Sequence, residues 1–349
     1  MSKNYKKGLI KEKKKKNEKK AKENVLDFYK KNGSYCRGAY LYYKEYEKNQ
    51  GKYVSVPLRI EKEEFSEYIG EKIVLVITAN PIEEAIFLHA FFDKYEKKVS
   101  AYLIEEYVYH VICLDLITIV HVHAKKTGEE FTRKCINVAT TVFSPEYIIL
   151  LGICYGIDFD KYELGTVLVA ESITGFRVNY RDTDKKDIKF ETETEFNEKS
   201  NEKIVSRLKI FFNYYQIVNN FFSSKLESVE IKVRFGRLIC SNSLMSNKKV
   251  KNSIIESLTQ GKDKPIGGEM EAIGIFKSNY YEQNNFKNWF VIKSICDWGE
   301  DKNVLDEDEK ESEIIKDSIQ AYAMINSWET FNILIEKNLL IEEEVKINE

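Results

Sequence analysis

Ile73–Val74–Leu75–Val76–Ile77–Thr78 is an unbroken run of aliphatic and β-branched residues. A strand that is apolar on both faces has to be covered on both faces. That is the condition of a central sheet layered by helices. The chain supplies the cover at once. Ala79–Asn80–Pro81 ends the run, and residues 82–95 read as a helix with acidic residues in its first turn, where they suit the helix dipole. The pattern recurs. Strand-like runs at 107–114, 116–123, 147–151, 165–172, 231–240 and 289–295 alternate with helical patterns at 128–143, 202–226, 246–258, 270–281 and 313–337. Residues 182–203 are polar and charged and read as a surface insertion. Alternation of this kind predicts an α/β domain with a mixed, largely covered sheet.

Composition limits the partners. The formal net charge of the 349-residue chain is −2, but residues 1–31 hold 13 lysines and 4 acidic residues. A Lys-rich tail therefore sits on an acidic body. The tail reads as solvated chain or frayed helix. No arginine or aromatic residue is interleaved with the lysines at its centre, so a nucleic-acid arm is the less favoured reading. Aromatic residues from Tyr35 to Tyr53 mark a folded N-terminal extension up to residue 71, with the catalytic domain expected over 72–349. The most apolar stretch, 108–124, is broken by His110, Asp115, His121 and His123, so no membrane span is expected. The six cysteines are scattered with no paired spacing, as in reduced cytoplasmic proteins. His121 and His123 lie at i, i+2 without an evident third ligand, so packing is expected of them rather than metal binding.

Four segments sit where strands end or helices begin, the places at which open α/β sheets bind ligands. Thr78–Ala79–Asn80–Pro81–Ile82–Glu83–Glu84 puts paired carboxylates at a strand exit. Leu151–Gly152–Ile153–Cys154–Tyr155–Gly156 has glycines that let backbone and free amides approach a ligand. Gly267–Gly268–Glu269–Met270–Glu271–Ala272 reads as two glycines before a helix whose first turn holds carboxylates able to accept hydrogen bonds from a cis-diol. Ser294–Ile295–Cys296–Asp297–Trp298 ends a strand with an Asp beside a Trp, where desolvation would favour an acid role. Each segment taken singly is also explained by capping, dipole compensation or a tight turn.

Their order resembles the nucleoside phosphorylase/nucleosidase superfamily, over roughly residues 72–340. That superfamily includes the methylthioadenosine/S-adenosylhomocysteine nucleosidases, AMP nucleosidases and purine nucleoside phosphorylases. The resemblance implies a phosphorylase-like three-layer fold with a central mixed β-sheet flanked by helices. It implies that Glu83, or Glu84 one residue on, activates the attacking water. Glu271 would bind the ribose 2′- and 3′-hydroxyls, with Met270 under the sugar, and Asp297 would protonate the purine at N7. Gly152, Ile153 and Cys154 would line the ribose and base, Ser241 to Met245 would sandwich the base, and Trp298 would flank it. Arg177 is a candidate for a nucleotide's phosphate, and Arg181 fits a surface ion pair better. No metal or organic cofactor is implied, and a homo-oligomer is expected.

The turn after the first strand has two carboxylates and no arginine, which favours hydrolysis over phosphorolysis. The expected activity is therefore that of a purine nucleosidase acting on an adenine nucleoside or nucleotide. Domains of this superfamily also serve as anti-phage effectors, and the N-terminal extension and the Cys296–Asp297–Trp298 variant resemble that branch. A phosphate-dependent phosphorylase and a nucleotide sensor without turnover are the alternatives.

Overall fold

The computed structural model describes residues 3–59, 72–183, 187–215, 217–219, 229–241, 255, 264–299 and 309–341. In chain order the elements are α1 (Lys3–Tyr53), β1 (Leu58–Arg59), β2 (Ile73–Thr78), α2 (Pro81–Tyr95), β3 (Ser100–Ile104), β4 (Tyr107–Cys113), β5 (Thr118–His123), α3 (Glu129–Val142) and β6 (Tyr147–Gly156). There follow β7 (Val167–Thr183), β8 (Asp187–Lys199), α4 (Glu202–Tyr214), β9 (Ile217–Asn219), β10 (Val229–Ile231), β11 (Val233–Ser241), β12 (Gly267–Glu269), α5 (Ile273–Phe276), α6 (Asn279–Asn284), β13 (Trp289–Asp297) and α7 (Glu309–Glu336).

The apolar runs form the sheet as their two-sided hydrophobicity demands. Every residue of β2 is buried. The strand order is β1–β3–β4–β5–β2–β6–β12–β11–β7–β13, and β13 returns to pair with β6. Strands β5, β2, β6 and β13 pair with one another in parallel, so their C-terminal ends gather on one rim. On one face α7 packs against β13 and β6, with α2 beside it. On the other lie α3, α5 and α6, with Tyr109 of β4 donating its hydroxyl to the Cys135 carbonyl of α3. This is a three-layer fold with a central mixed sheet flanked by helices. No helix among the described residues is long and apolar enough to cross a membrane.

Three expectations are corrected and a fourth is refined. The polar stretch 182–203, expected as a surface insertion, pairs as strand: β7 and β8 form a long antiparallel ribbon from Ser172↔Lys199 to Thr183↔Asp187. Alternation of charged with aliphatic and aromatic residues suits a ribbon exposed on one face. The helix starting at residue 202 stops at Tyr214, before β9. The glycines of Gly267–Gly268 do not precede a long helix. They lie with Glu269 in β12, and the helix expected over 270–281 is two short ones, α5 and α6. The N-terminal tail is not frayed: Lys3–Tyr53 is helical, kinked by non-helical backbone at Asn32 and Asn49. At both positions the Asn amide donates to the carbonyl four residues back, a local bond that competes with the regular ladder. Cys36, Ala39, Tyr43, Tyr46 and Tyr53 are buried on α1, which packs across α2 and α7. From Cys36 to Tyr46 their three- and four-residue spacing is a single helical stripe. Of the helix expected over 246–258 only Ile255 is among the described residues, and it is helical.

Candidate active site

Glu83 is placed by the end of β2. Asn80 caps α2, its side-chain oxygen accepting from the Ile82 amide, and Glu83 completes the capping box. Its Oε2 accepts from the amides of Ala79 (2.7 Å) and Asn80 (3.0 Å). Its Oε1 accepts from the amide of Ile153, 2.8 Å away at the end of β6. The carboxylate thus ties two neighbouring strand exits together. Gly152 makes this possible: a Cβ there would lie 2.2 Å from Glu83 Oε1. The loop glycines therefore admit the protein's own side chains, and the Ile153 amide expected to face a ligand is taken by Glu83. One lone-pair position on Oε1 stays open after these bonds. Burial pushes the Glu83 carboxyl up, with the Lys293 charge opposing and Glu271 adding to the rise. Glu84 is near Tyr46 of α1 instead, and burial lifts its carboxyl to about 7.

Lys293 lies in the middle of β13, in register with Gly152. Its ammonium sits 2.5 Å from Glu271 Oε2 and 3.7 Å from Glu269 Oε2, all three side chains being sealed from solvent. Sequence reasoning passed over this lysine. Its signal was a lone cation inside an apolar strand, which demands a buried partner. Glu271 also accepts from the amides of Met270 and Gly128, each at 3.3 Å. Burial works against its charge, but Lys293 outweighs burial and holds the carboxyl below its ordinary value. Glu269 turns its carboxylate back onto the amides of Glu271 and Ala272 and so shapes the turn after β12. Burial lifts its carboxyl to about 7, against the pull of Lys293. The cluster is thus a Lys293–Glu271 ion pair beside Glu269 and Glu83, whose carboxyls burial pushes upward against the Lys293 charge.

Asp297 ends β13 and is half-buried. Its Oδ1 accepts from the Gly299 amide at 2.7 Å, and its Oδ2 from the Cys296 thiol at 3.5 Å. Gly299 is left-handed (φ 62°), and a Cβ there would meet the Tyr155 ring at 2.9 Å. Trp298 is buried against Gly156, where a Cβ would lie 2.4 Å from the indole. Ser241 is buried at the end of β11, whose Cys240 is in register with Glu269. Met270 is half-buried between the two carboxylates that flank it in sequence. The fold thus brings Glu83, Gly152, Ile153, Glu271, Met270 and Asp297 to one rim. Met245 lies outside the described residues, as does the side chain of Arg181.

Three further residues have partners of their own. Arg177 pairs with Glu195 at 2.8 Å, and Glu195 also faces Lys277 at 3.3 Å. That compensates the charge proposed for a phosphate. Cys154 is buried with its thiol 3.7 Å from the Lys293 carbonyl, and burial raises the thiol well above its ordinary value, which removes nucleophilic character. His121 is fully buried, stacked on Phe87 and bonded to Thr78 and His110, as packing requires. Among the described residues no group of three His, Cys, Asp or Glu is arranged to hold a metal ion.

No family model matches the chain. A death domain-containing ATP nucleosidase of Amphimedon queenslandica is 25% identical over 193 residues, which are 52% of this chain and 34% of that protein. The chain thus spans about a third of the length of that relative. Among solved structures, futalosine hydrolase of Helicobacter pylori superposes with a TM-score of 0.55 at 13% identity, covering 76% of this chain and 98% of that one. A 5′-methylthioadenosine/S-adenosylhomocysteine nucleosidase of Helicobacter pylori gives 0.55 at 12% identity, covering 76% and 99%. One from Neisseria meningitidis gives 0.53 at 14% identity, covering 76% and 99%. The fold expected from the sequence is borne out by these superpositions.

Proposed function

We propose that this chain, which has the nucleoside phosphorylase/nucleosidase fold, is a hydrolase that cleaves the N-glycosidic bond of an adenine nucleotide or nucleoside. The observation that carries the reading is the saturation of the β2 exit. A phosphorylase needs donors there for its phosphate. Here the amides of Ala79 and Asn80 donate to Glu83, so the protein's own carboxylate occupies an anion's position. A second anion would be repelled, and a water is the nucleophile that such a carboxylate can hold and polarise.

The remaining roles follow from the chemistry. Cleavage runs through an oxocarbenium-like state, so the base must leave as a neutral molecule and the sugar's positive charge must be met. Asp297 protonates the purine at N7. Glu271, kept ionised by Lys293, accepts from the ribose hydroxyls and faces the developing charge. Met270 packs under the sugar, Ser241 and Trp298 border the base, and Glu83 directs water to C1′. Proton transfer by such groups is typically worth about 10²–10⁴-fold in rate.

A nucleotide is favoured over a nucleoside for two reasons. The curated relative bears the name ATP nucleosidase. The loop 124–128, between β5 and α3, reaches Glu271 through the Gly128 amide and carries the exposed Lys125 and Lys126. Lys125 lies 3.6 Å from Glu106, whereas Lys126 rests over the Phe131 ring at 5.6 Å, with no carboxylate of the described residues within 4.0 Å. Lys126 is therefore a local cation near the sugar site, which an otherwise acidic body needs to attract a polyphosphate. Destruction of adenine nucleotides is also the chemistry of an anti-phage effector. Incubation with adenosine, AMP, ADP and ATP, followed by chromatography of free base, tests the substrate class. Adenine from the nucleotides is expected, and release from adenosine alone would replace the nucleotide reading with a nucleoside one.

A further inference from the structure

We infer that Asn24, on the N-terminal helix, is a positioning residue for Asp297 and acts through Trp298. The inference rests on the assignment of Asp297 as the acid.

Asn24 Oδ1 accepts from the Trp298 indole N–H at 3.1 Å, across 274 residues of sequence. The indole is 3% exposed, so its N–H depends on a protein acceptor. The same stretch of α1 is tied down one turn earlier. Lys20 lies 2.6 Å from Asp160 and 5.1 Å above the Phe159 ring, and Phe159 meets the Trp298 ring edge-on with centroids 6.1 Å apart. One turn later Phe28 packs against Tyr322 of α7 at 5.8 Å. The helix is thus anchored on both sides of Asn24, upstream through Asp160 and Phe159 and downstream through Tyr322.

Trp298 is the middle residue of the turn that holds Asp297. The turn closes through Asp297 Oδ1 and the Gly299 amide, and it rests on Tyr155 and Gly156. Those contacts fix the turn from below, and Asn24 fixes the indole from α1. Loss of the acceptor would let the indole tilt and carry the neighbouring carboxylate with it. Displacements of an ångström at a proton donor are costly in rate. The N-terminal helix then belongs to the catalytic apparatus and is not an appendage to it.

The test uses the full chain and base release from ATP. Asn24→Leu removes the acceptor at similar volume, and Asn24→Asp retains an acceptor oxygen. We expect Asn24→Leu to lower kcat about tenfold with KM changed less than about twofold, and Asn24→Asp to recover most of the loss. In an Asp297→Asn background Asn24→Leu should cause no further drop, because its effect passes through Asp297. Asn24→Ala, which removes the acceptor without added bulk, should match Asn24→Leu and serves where that variant folds poorly. Unchanged kcat in both variants, or the same fractional loss with and without Asp297, overturns the inference while the acid assignment stands. Wild-type turnover in Asp297→Asn removes the acid assignment and the inference together.

Discussion

The ammonium of Lys293 lies 2.5 Å from Glu271 Oε2, and neither side chain reaches solvent. The two come from strands that do not pair directly, β13 and the turn after β12, and β6 runs between them. A buried ion pair is weak evidence for stability, but breaking one strands a charge. Lys293→Met is expected to destabilise the fold by about 3–5 kcal/mol in urea unfolding. Adding Glu271→Leu to that variant should recover much of the loss while leaving base release abolished. Two losses that simply add would contradict the pairing.

Gly152 and Glu83 give a second, independent handle. A methyl at Gly152 meets Glu83 Oε1 at 2.2 Å and must push the carboxylate off its amides. Gly152→Ala should therefore reproduce the rate defect of Glu83→Ala, about 10²–10⁴-fold in base release. Glu83→Ala should also cost about 0.5–2 kcal/mol in stability, as loss of a helix cap does. A Gly152→Ala enzyme with wild-type kcat would exclude Glu83 from the reaction.

How much of this was legible in the sequence differs from residue to residue. The central strands were, because a strand such as Ile73–Thr78 can be stable only when covered on both faces. The motif order located the strand exits at which Glu83, Glu271 and Asp297 meet. Lys293 was not found, because its partners are 22 and 24 residues away in sequence and only the β12–β6–β13 arrangement joins them. The β7–β8 ribbon was hidden by its charge, since an exposed face reads like an insertion. The glycines were legible as close-approach sites, but not what approaches them: Glu83 at Gly152 and Trp298 at Gly156.

Glu269 predicts a pH signature. Burial raises its carboxyl from 4.5 to about 7 in the folded chain. Between those values the unfolded chain has lost the proton and the folded chain retains it, so this group makes stability fall as pH rises. Glu269→Gln removes that slope. The stability of the variant relative to wild type, from urea unfolding, should climb from pH 4.5 to about 7 and then level off. His110 and His123, lowered from 6.5 to about 4, act in the opposite sense, with stability rising from about 4 to 6.5. They do so equally in both proteins, so the difference isolates Glu269. A flat difference would contradict its folded-state protonation.

Lys126 separates substrates. Loss of one phosphate contact should weaken apparent affinity for ATP about tenfold. Lys126→Ala is therefore expected to raise KM for ATP and leave KM for adenosine unchanged. Equal effects on both substrates would place the lysine outside phosphate recognition.

Hydrolysis itself is tested most directly by the fate of C1′. The purified chain is incubated with ATP in phosphate-free buffer made with water enriched in heavy oxygen, and the products are followed by chromatography and mass spectrometry. Hydrolysis yields stoichiometric free adenine and a ribose triphosphate carrying one heavy oxygen at C1′, with no dependence on added phosphate. Adenine that forms only when phosphate is added, with phosphate joined to C1′, would contradict it, as would tight ATP binding with no adenine formed.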